Sequence, residues 1–217
     1  MKKIGLFLIG LTITVFANGQ IVKIQGGPSF SQLDLKFNRI DGGVYRNNET
    51  MIGYSIFAGI DYMDKKYFNL SSNIGMIRKR GRGVHSYDYG SGWQYGLSEK
   101  LSLDYLSLNT TIDFKYPIKK ISPFISFGPR FDYLLHSNNY PPQFASHFDD
   151  IKNASFGFIL GGGLKYDISK LQFGLRADYY LDFSKKIAEL PDYDTGNVCD
   201  VLINAFTINL SIGYRLK

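Results

Sequence analysis

Apolar and polar side chains alternate without interruption from Phe206 to Leu216. The apolar positions are Phe206, Ile208, Leu210, Ile212, Tyr214 and Leu216, and polar or small residues separate them. A period of two is typical of a β-strand with one apolar and one polar face. An aromatic residue near the end of such a strand is typical of the strand that closes an outer-membrane β-barrel. The pattern therefore predicts a sheet in which further strands of the same kind pair with this one.

Seven other segments alternate over about ten or more residues, the length that a tilted strand needs to cross a membrane. The eight predicted strands are 21–36, 51–62, 67–79, 101–116, 122–135, 154–167, 171–184 and 202–217. Gly26-Gly27-Pro28 makes the first strand the least regular and predicts a bulge or a bend there.

The predicted connections alternate in length. Short turns fall at 63–66, 117–121 and 167–170, and long loops at about 37–50, 80–100, 136–153 and 185–201. An even number of strands with short turns on one side and long loops on the other is typical of outer-membrane barrels. We therefore expect an all-β fold, an eight-stranded antiparallel up-and-down transmembrane β-barrel with its long loops outward.

Alternation alone fits two kinds of barrel. A soluble, lipocalin-like carrier would turn the apolar face inward, with Phe127 and Leu175 against a ligand, whereas a membrane barrel turns it outward. Aromatic residues near strand ends favour the membrane, because they resemble interfacial girdles. These are Tyr54, Tyr62, Tyr116, Tyr133, Tyr166 and Tyr214. Small residues on the polar face suit the crowded interior of a narrow barrel. These are Gly53, Gly59, Gly128, Gly157, Gly161, Gly163, Gly174 and Gly213.

The polar face also carries charges of both signs in balance. We expect them to form a structural network in the lumen, because a buried charge needs a partner. The acidic members are Asp61, Asp113, Asp132, Asp178 and Asp182, and the basic members are Lys115, Arg130, Lys165, Arg176 and Arg215. A lumen filled in this way argues against an aqueous pore.

The N-terminal residues have the three-part layout of a secretory signal peptide. Lys2 and Lys3 precede an apolar run from Ile4 to Phe16, and Ala17-Asn18-Gly19 offers a cleavage site near Gly19–Gln20. We therefore expect residues 1–19 to be removed and residues 20–217 to form the barrel domain. A formal charge of +6 without a basic helix or zinc spacing argues against a nucleic-acid partner. Cys199 is the only cysteine, so no internal disulfide is expected.

Several short motifs resemble the PorT-like family of Gram-negative outer-membrane β-barrel domains. They are Gly26-Gly-Pro-Ser-Phe-Ser31, Asn73-Ile-Gly-Met-Ile-Arg78, Leu103-Asp-Tyr-Leu-Ser-Leu108, Pro123-Phe-Ile-Ser-Phe-Gly-Pro129, Leu160-Gly-Gly-Gly163 and Ile212-Gly-Tyr-Arg-Leu-Lys217. Ser107, Leu108 and Asn109 replace the acidic residue and proline that the family tends to have in its fourth strand. The resemblance implies an outer-membrane location, and for some members a role in protein secretion or surface assembly.

The candidate chemistry lies in the predicted outward loops. The basic cluster Arg78, Lys79, Arg80 and Arg82 suggests contact with lipopolysaccharide phosphates, with a solvated rim as the alternative. Tyr87, Tyr89, Trp93 and Tyr95 suit either partner recognition or the membrane interface. His85, His136 and His147 would serve a lipid A-modifying enzyme, but they lack a local signature and metal-ligand spacing. We therefore expect a non-enzymatic structural or surface-interaction protein without cofactor or metal, whose partners are outer-membrane lipid, lipopolysaccharide and a protein bound through the loops.

Overall fold

The computed structural model describes residues 20–37, 48–88, 93–138, 153–183, 186–189 and 198–216. These residues form nine β-strands, and no helix among them is long and apolar enough to span a membrane. The strands are β1 (Ile21–Phe37), β2 (Asn48–Asp64), β3 (Phe68–Asp88), β4 (Trp93–Lys115), β5 (Ile121–Asn138), β6 (Ala154–Ile168), β7 (Leu171–Asp182), β8 (Lys186–Glu189) and β9 (Val198–Arg215).

Eight of these strands close into a barrel. Each pairs antiparallel with its neighbour in the order β1 to β7 and then β9, and β9 returns to pair with β1. Within the described residues, strand β8 pairs with the first residues of β9, from Val198 to Val201. The ladders are staggered around the barrel by a shear of about ten residues. The predicted eight-stranded, antiparallel, up-and-down barrel is confirmed.

The prediction was wrong about where the loops begin. Strands β3 and β4 remain paired as far as Asp88 and Trp93, so most of the predicted loop 80–100 is a β-hairpin. The predicted loop 185–201 likewise contains β8 and the start of β9. Alternation fails as a signal in these stretches because neither face of the strand there is consistently apolar. The short turns fall near their predicted positions, with Lys119 and Ser169 at positive φ.

The apolar faces of the strands point outward. In β7, Gln172, Arg176 and Asp178 are buried, whereas Phe173 and Leu175 are exposed. Phe127 is 46% exposed and Leu175 is 46% exposed on the outer wall. The lipocalin-like alternative, which needs these two side chains against an internal ligand, is therefore wrong.

The eight glycines predicted for the crowded interior all occupy inward positions of their strands. A methyl group on Gly161 would meet the carboxylate of Asp178, and one on Gly163 would meet the carbonyl of Leu175. Of the bulge or bend predicted at Gly26-Gly27-Pro28, the bulge is wrong, because the ladder with β2 continues through these residues without a register shift, whereas the pairing with β9 omits Gly27 and Pro28. Register shifts occur instead in the β2–β3, β3–β4 and β4–β5 ladders.

Candidate functional sites: a charged interior and an outward arginine patch

The interior of the barrel holds three clusters of ion pairs. We call them the turn-end, central and loop-end clusters, from the end with the short turns to the opposite end. Among the described residues they contain seven cations and seven carboxylates. The turn-end cluster is Asp64, Lys115, Asp167 and Arg215; the central cluster is Lys23, Asp61, Asp113, Lys165, Arg176 and Asp178; the loop-end cluster is Lys79, Arg130, Asp132 and Asp182.

The central cluster links strands from all sides of the barrel. The Nζ of Lys23 lies 2.6 Å from Asp61 Oδ1, and the Nζ of Lys165 lies 2.9 Å from Asp113 Oδ2. Lys165 also reaches Asp61 Oδ2 at 3.4 Å, so these four residues form a continuous chain of opposite charges. All four are buried. Each charge removed from solvent is therefore offset by at least one opposite charge, which is the condition for keeping it ionised in the interior.

Arg176 completes the central cluster from β7. Its Nε lies 2.7 Å from Asp178 Oδ2, its Nη1 lies 3.4 Å from Asp113 Oδ1, and its Nη2 donates to Ser126 Oγ at 2.9 Å. Its guanidinium carbon also lies 5.7 Å from the ring centroid of Phe124. The contacts on several sides fix this side chain in the middle of the lumen.

The loop-end cluster is assembled by three strands, β3, β5 and β7. Lys79 Nζ lies 3.2 Å from Asp132 Oδ2 and 3.2 Å from Asp182 Oδ2, and Arg130 pairs with the same two carboxylates. Aromatic rings lie against both cations. The ring centroid of Tyr105 is 5.0 Å from Lys79 Nζ, and that of Tyr180 is 4.9 Å from the guanidinium carbon of Arg130. Together these side chains fill the lumen at this level.

The turn-end cluster is the most accessible of the three. Lys115 pairs with Asp64, and Arg215 Nη2 lies 3.4 Å from Asp64 Oδ2 and 3.2 Å from Asp167 Oδ1. The side chains of Arg215 and Asp167 are each 33% exposed, in contrast to the buried central cluster. This end of the interior is therefore partly solvated.

All ten charges predicted for the lumen lie in these clusters, but four further members were missed. Lys23 was missed because it lies in the least regular predicted strand, and Asp64 and Asp167 because they were assigned to turns. Lys79 was assigned to the outer basic cluster, and the structure corrects this: its side chain is 1% exposed and lies in the loop-end cluster. The alternation of side chains along β3 gives the reason, since Ile77 and Lys79 occupy inward positions while Arg78 between them occupies an outward one.

Arg78 and Arg80 form a patch on the outer wall together with Asp104 and Tyr54, which we call the arginine patch. Arg78 donates from Nε to Asp104 Oδ1 at 2.6 Å and from Nη2 to Asp104 Oδ2 at 2.7 Å. Its guanidinium carbon lies 4.9 Å from the ring centroid of Tyr54. Arg80 donates from Nη1 to the carbonyl oxygen of Ile52 at 3.4 Å, in an exposed contact. The side chain of Arg82, the remaining member of the predicted basic cluster, lies outside the described part of the structure.

The sheet is irregular beside the arginine patch. The β2–β3 register shifts between the pairs Thr50↔Gly81 and Ser55↔Ile77. Two serines of β1 bond the β3 backbone there: Ser29 Oγ donates to the carbonyl of Arg78 at 2.6 Å, and Ser31 Oγ donates to that of Arg80 at 2.7 Å. Gly53 permits this contact across β2, because a methyl group on it would meet both Ser29 Oγ and the Arg78 carbonyl. The backbone that carries both arginines is therefore held from inside the barrel.

The remaining candidate residues are not assembled into a site in the described part of the chain. His136 is exposed at the end of β5, while His147 and the side chain of His85 lie outside the described residues. The side chains of Tyr87, Trp93 and Tyr95 and the whole of Tyr89 also lie outside them. Among the described residues, no group of three potential metal ligands comes together. The lipid A-modifying enzyme stays an untested alternative.

The fold is similar to that of solved outer-membrane barrels. The outer membrane protein OprG from Pseudomonas aeruginosa matches with a TM-score of 0.58 and 14% identity, over 90% of this chain and 96% of that one. The outer membrane protein AlkL, solved in DMPC lipid bilayers, matches with a TM-score of 0.56 and 12% identity, over 93% and 92% of the two chains. No protein-family model and no curated protein matches the sequence, so the PorT-like resemblance stays a prediction. The chain thus has the eight-stranded barrel fold of these outer-membrane proteins.

Proposed function

We propose that this chain is an integral outer-membrane protein with a structural or surface-interaction role. The observation that carries the proposal is the inverted polarity of the barrel. Large apolar side chains cover the wall, with Ile24, Ile125 and Leu210 each more than 60% exposed, while aspartates and lysines are buried inside. In water such a wall would exceed the apolar patches that soluble monomers tolerate. In a bilayer the same wall faces hydrocarbon and its backbone groups are paired within the closed sheet.

Aromatic side chains at both ends of the apolar wall support the same proposal. Tyr116, Tyr166 and Tyr214 are exposed at the turn end, and Tyr54 and Tyr133 are exposed toward the loop end. Amphipathic rings at two levels suit the two interfaces of a membrane.

Cell fractionation followed by gel electrophoresis tests the proposal. We expect the protein in the outer-membrane fraction, and we expect unboiled samples to migrate differently from boiled ones because the closed barrel resists detergent. Recovery in the soluble fraction, or identical migration with and without boiling, would contradict it. Leu175→Arg is the informative companion variant, since a charge at mid-wall should reduce the folded band only if that wall faces lipid.

The proposal includes export with removal of residues 1–19. It rests on the sequence pattern of the leader, which lies outside the described residues. The intact mass of the outer-membrane form tests it: a mass corresponding to a chain that starts at Gln20 is expected. A mass that retains the leader would contradict cleavage without affecting the barrel.

The surface-interaction role is assigned to the loop end, where the β3–β4 hairpin extends the sheet. Val84 pairs with Ser98, so the two strands are adjacent there and residues 85–97 can be replaced by a two-residue turn. We expect the shortened protein to keep its heat-dependent migration while losing partners that cross-link to the full-length protein on intact cells. Unchanged cross-linking would contradict a role for this hairpin. The PorT-like resemblance makes components of secretion or surface assembly the first partners to examine.

A further inference from the structure

We infer that the arginine patch binds a phosphate group of the glycolipid in the outer leaflet. This rests on the proposed function, because it requires the loop end of the barrel to face outward in an outer membrane. Arg78 and Arg80 are two residues apart on one strand, so both side chains leave the same face roughly 7 Å apart. Two guanidinium groups at that spacing can donate to different oxygens of one phosphate, a charge-assisted and geometrically specific contact.

The level of the patch on the wall indicates a lipid. Met76 and Leu106 are exposed apolar residues at the next outward positions toward the turn end, so on β3 and β4 the apolar positions give way to charged ones at Arg78 and Asp104. Tyr54, against which Arg78 stacks, is an exposed aromatic residue of the same level. When the phosphate of a ligand contacts the arginines, the part of the ligand next to that phosphate therefore lies on an apolar surface. A phosphorylated molecule with acyl chains satisfies both regions, and in the outer leaflet that molecule is the phosphorylated glycolipid.

The patch is built rather than a chance grouping of exposed charges. Ser29 and Ser31 hold the backbone of both arginines from the lumen, at the irregularity of the β2–β3 ladder. Tyr54 supports the Arg78 guanidinium from one side. Irregularities in barrel walls commonly re-aim side chains beside functional sites. Within the described residues, the Arg80 guanidinium makes one hydrogen bond, the exposed 3.4 Å contact to the Ile52 carbonyl, so most of its donors are not engaged by protein acceptors there.

Asp104 gives the site its distinguishing property. Its carboxylate accepts from Nε and Nη2 of Arg78 in the bidentate geometry that a phosphate would use, so it competes with the ligand for that edge of the guanidinium. Neutralising Asp104 should therefore strengthen phosphate binding, whereas removing the arginines should weaken it. A purely structural ion pair predicts no gain in binding when Asp104 is neutralised.

The test is a binding titration on the folded, full-length mature protein in zwitterionic detergent micelles. The probes are bisphosphorylated lipid A, the same lipid without phosphates, and phosphatidylglycerol, and native mass spectrometry counts bound lipid. We expect bisphosphorylated lipid A to bind most tightly. Arg78→Gln with Arg80→Gln should weaken it by at least about tenfold, and Asp104→Asn should strengthen it severalfold. The matched control is Lys120→Gln, an exposed cation at the turn end, which should leave binding unchanged.

Equal binding by the wild type and the double glutamine variant would overturn the inference, as would equal binding of the lipid without phosphates. Phosphatidylglycerol binding as tightly as lipid A, in an arginine-dependent way, would overturn the glycolipid assignment. Heat-dependent migration of each variant separates these results from failure of the barrel itself. If the double glutamine variant does not fold, Arg78→Lys with Arg80→Lys keeps the charges and removes the planar fork. That variant should still bind at least about threefold more weakly, and wild-type affinity would overturn the inference.

Discussion

At the residue scale, the alternation of positions along a strand determines whether a side chain points into the lumen or lies on the outer wall. Lys79 and Arg78 are adjacent in sequence, yet Lys79 is buried between two aspartates and Arg78 lies on the outer wall. The side of the sheet to which each position points could be predicted from alternation, and the structure places all ten proposed lumen charges at inward positions of their strands. The partners could not be predicted, because closure of the barrel joins residues such as Asp61 and Lys165 that are 104 positions apart. Which charges lie at the same height along the barrel axis is determined by the combined stagger of all the ladders.

The buried pair of Lys23 and Asp61 provides the first prediction. Asp61→Asn leaves Lys23 buried without its carboxylate at 2.6 Å, and we expect a loss of about 3–5 kcal/mol in the free energy of unfolding. Denaturant titration of the protein in phospholipid vesicles measures it. Asp104→Asn is the matched control: it breaks a partly exposed pair on the outer wall and should cost under about 1 kcal/mol.

A double variant tests the reason for that loss. Lys23→Met combined with Asp61→Leu removes both charges, so the destabilisation should be smaller than that of Asp61→Asn alone. A double variant at least as unstable as the single one would show that the cost arises from packing or from other partners, among them Ser71 and Lys165.

The outward position of Leu175 provides the second prediction. Leu175→Arg places a charge in the middle of the apolar wall and should cost about 2–4 kcal/mol in a bilayer. Ile168→Arg is the control, because Ile168 is also exposed but lies at the turn end, where the same change should cost about 0–1 kcal/mol. Equal costs at the two positions, measured by unfolding in vesicles, would contradict the assigned depth of the wall.

At the element scale, two strands on opposite sides of the barrel share a Gly-Pro step. In β1, Gly27 and Pro28 interrupt the pairing with β9, and in β5, Gly128 and Pro129 interrupt the pairing with β4, each without a register shift. Each glycine approaches a carbonyl of the neighbouring strand, that of Ile208 or Thr110, and each proline lacks the N–H that the ladder would use. The sequence predicted an irregularity at Gly27-Pro28 but could not distinguish a missing ladder pair from a bulge, because both have the same local composition.

The close approach at Gly128 provides the third prediction. Gly128→Ala would place a methyl group against the Thr110 carbonyl and within 2.8 Å of Thr111 Cα, and backbone cannot move aside as a side chain can. We expect a loss of about 1–3 kcal/mol. Gly26→Ala is the control, since the nearest atoms to its methyl group would be Ile56 Cγ1 and the Ser55 carbonyl oxygen, both at 3.2 Å. Equal stability of the two variants in vesicle unfolding would contradict the strained approach.

The extended hairpin of β3 and β4 shows where sequence reasoning stopped at this scale. From Phe68 to Met76 the outward positions of β3 are apolar except Ser72, so alternation identified the strand. Beyond Met76, charged residues follow at every second position, Arg78, Arg80 and Arg82, and end the apolar series, although the ladder with β4 continues to Asp88↔Trp93. Pairing there depends on backbone hydrogen bonds and not on a lipid-facing surface. A prediction that uses only the alternation of apolar and polar residues therefore ends the strand at its last outward apolar residue.

At the scale of the whole molecule, the filled interior limits what the barrel can do. Arg130, Tyr105 and Tyr180 are among its largest fully buried side chains, and the three ionic clusters lie at successive levels of the lumen. An eight-stranded barrel has an interior just wide enough for side chains to fill. We therefore predict that the wild-type protein shows no steady ion conductance in planar bilayers. Arg130→Ala with Tyr180→Ala removes two of these side chains at the loop-end level, and it should introduce conductance if they obstruct the path.

The conductance measurement also determines where function resides. If the wild type is closed and the double alanine variant conducts, solutes do not pass through the native lumen, and recognition must use the outer wall and the loop end. The arginine patch and the β3–β4 hairpin both lie there, and Arg78, Arg80 and Asp104 of the patch are on the two strands of the hairpin, so a lipid bound at the patch adjoins the base of the hairpin. Steady conductance by the wild type would contradict the closed interior, and it would make the paired charges the lining of a path instead of its plug.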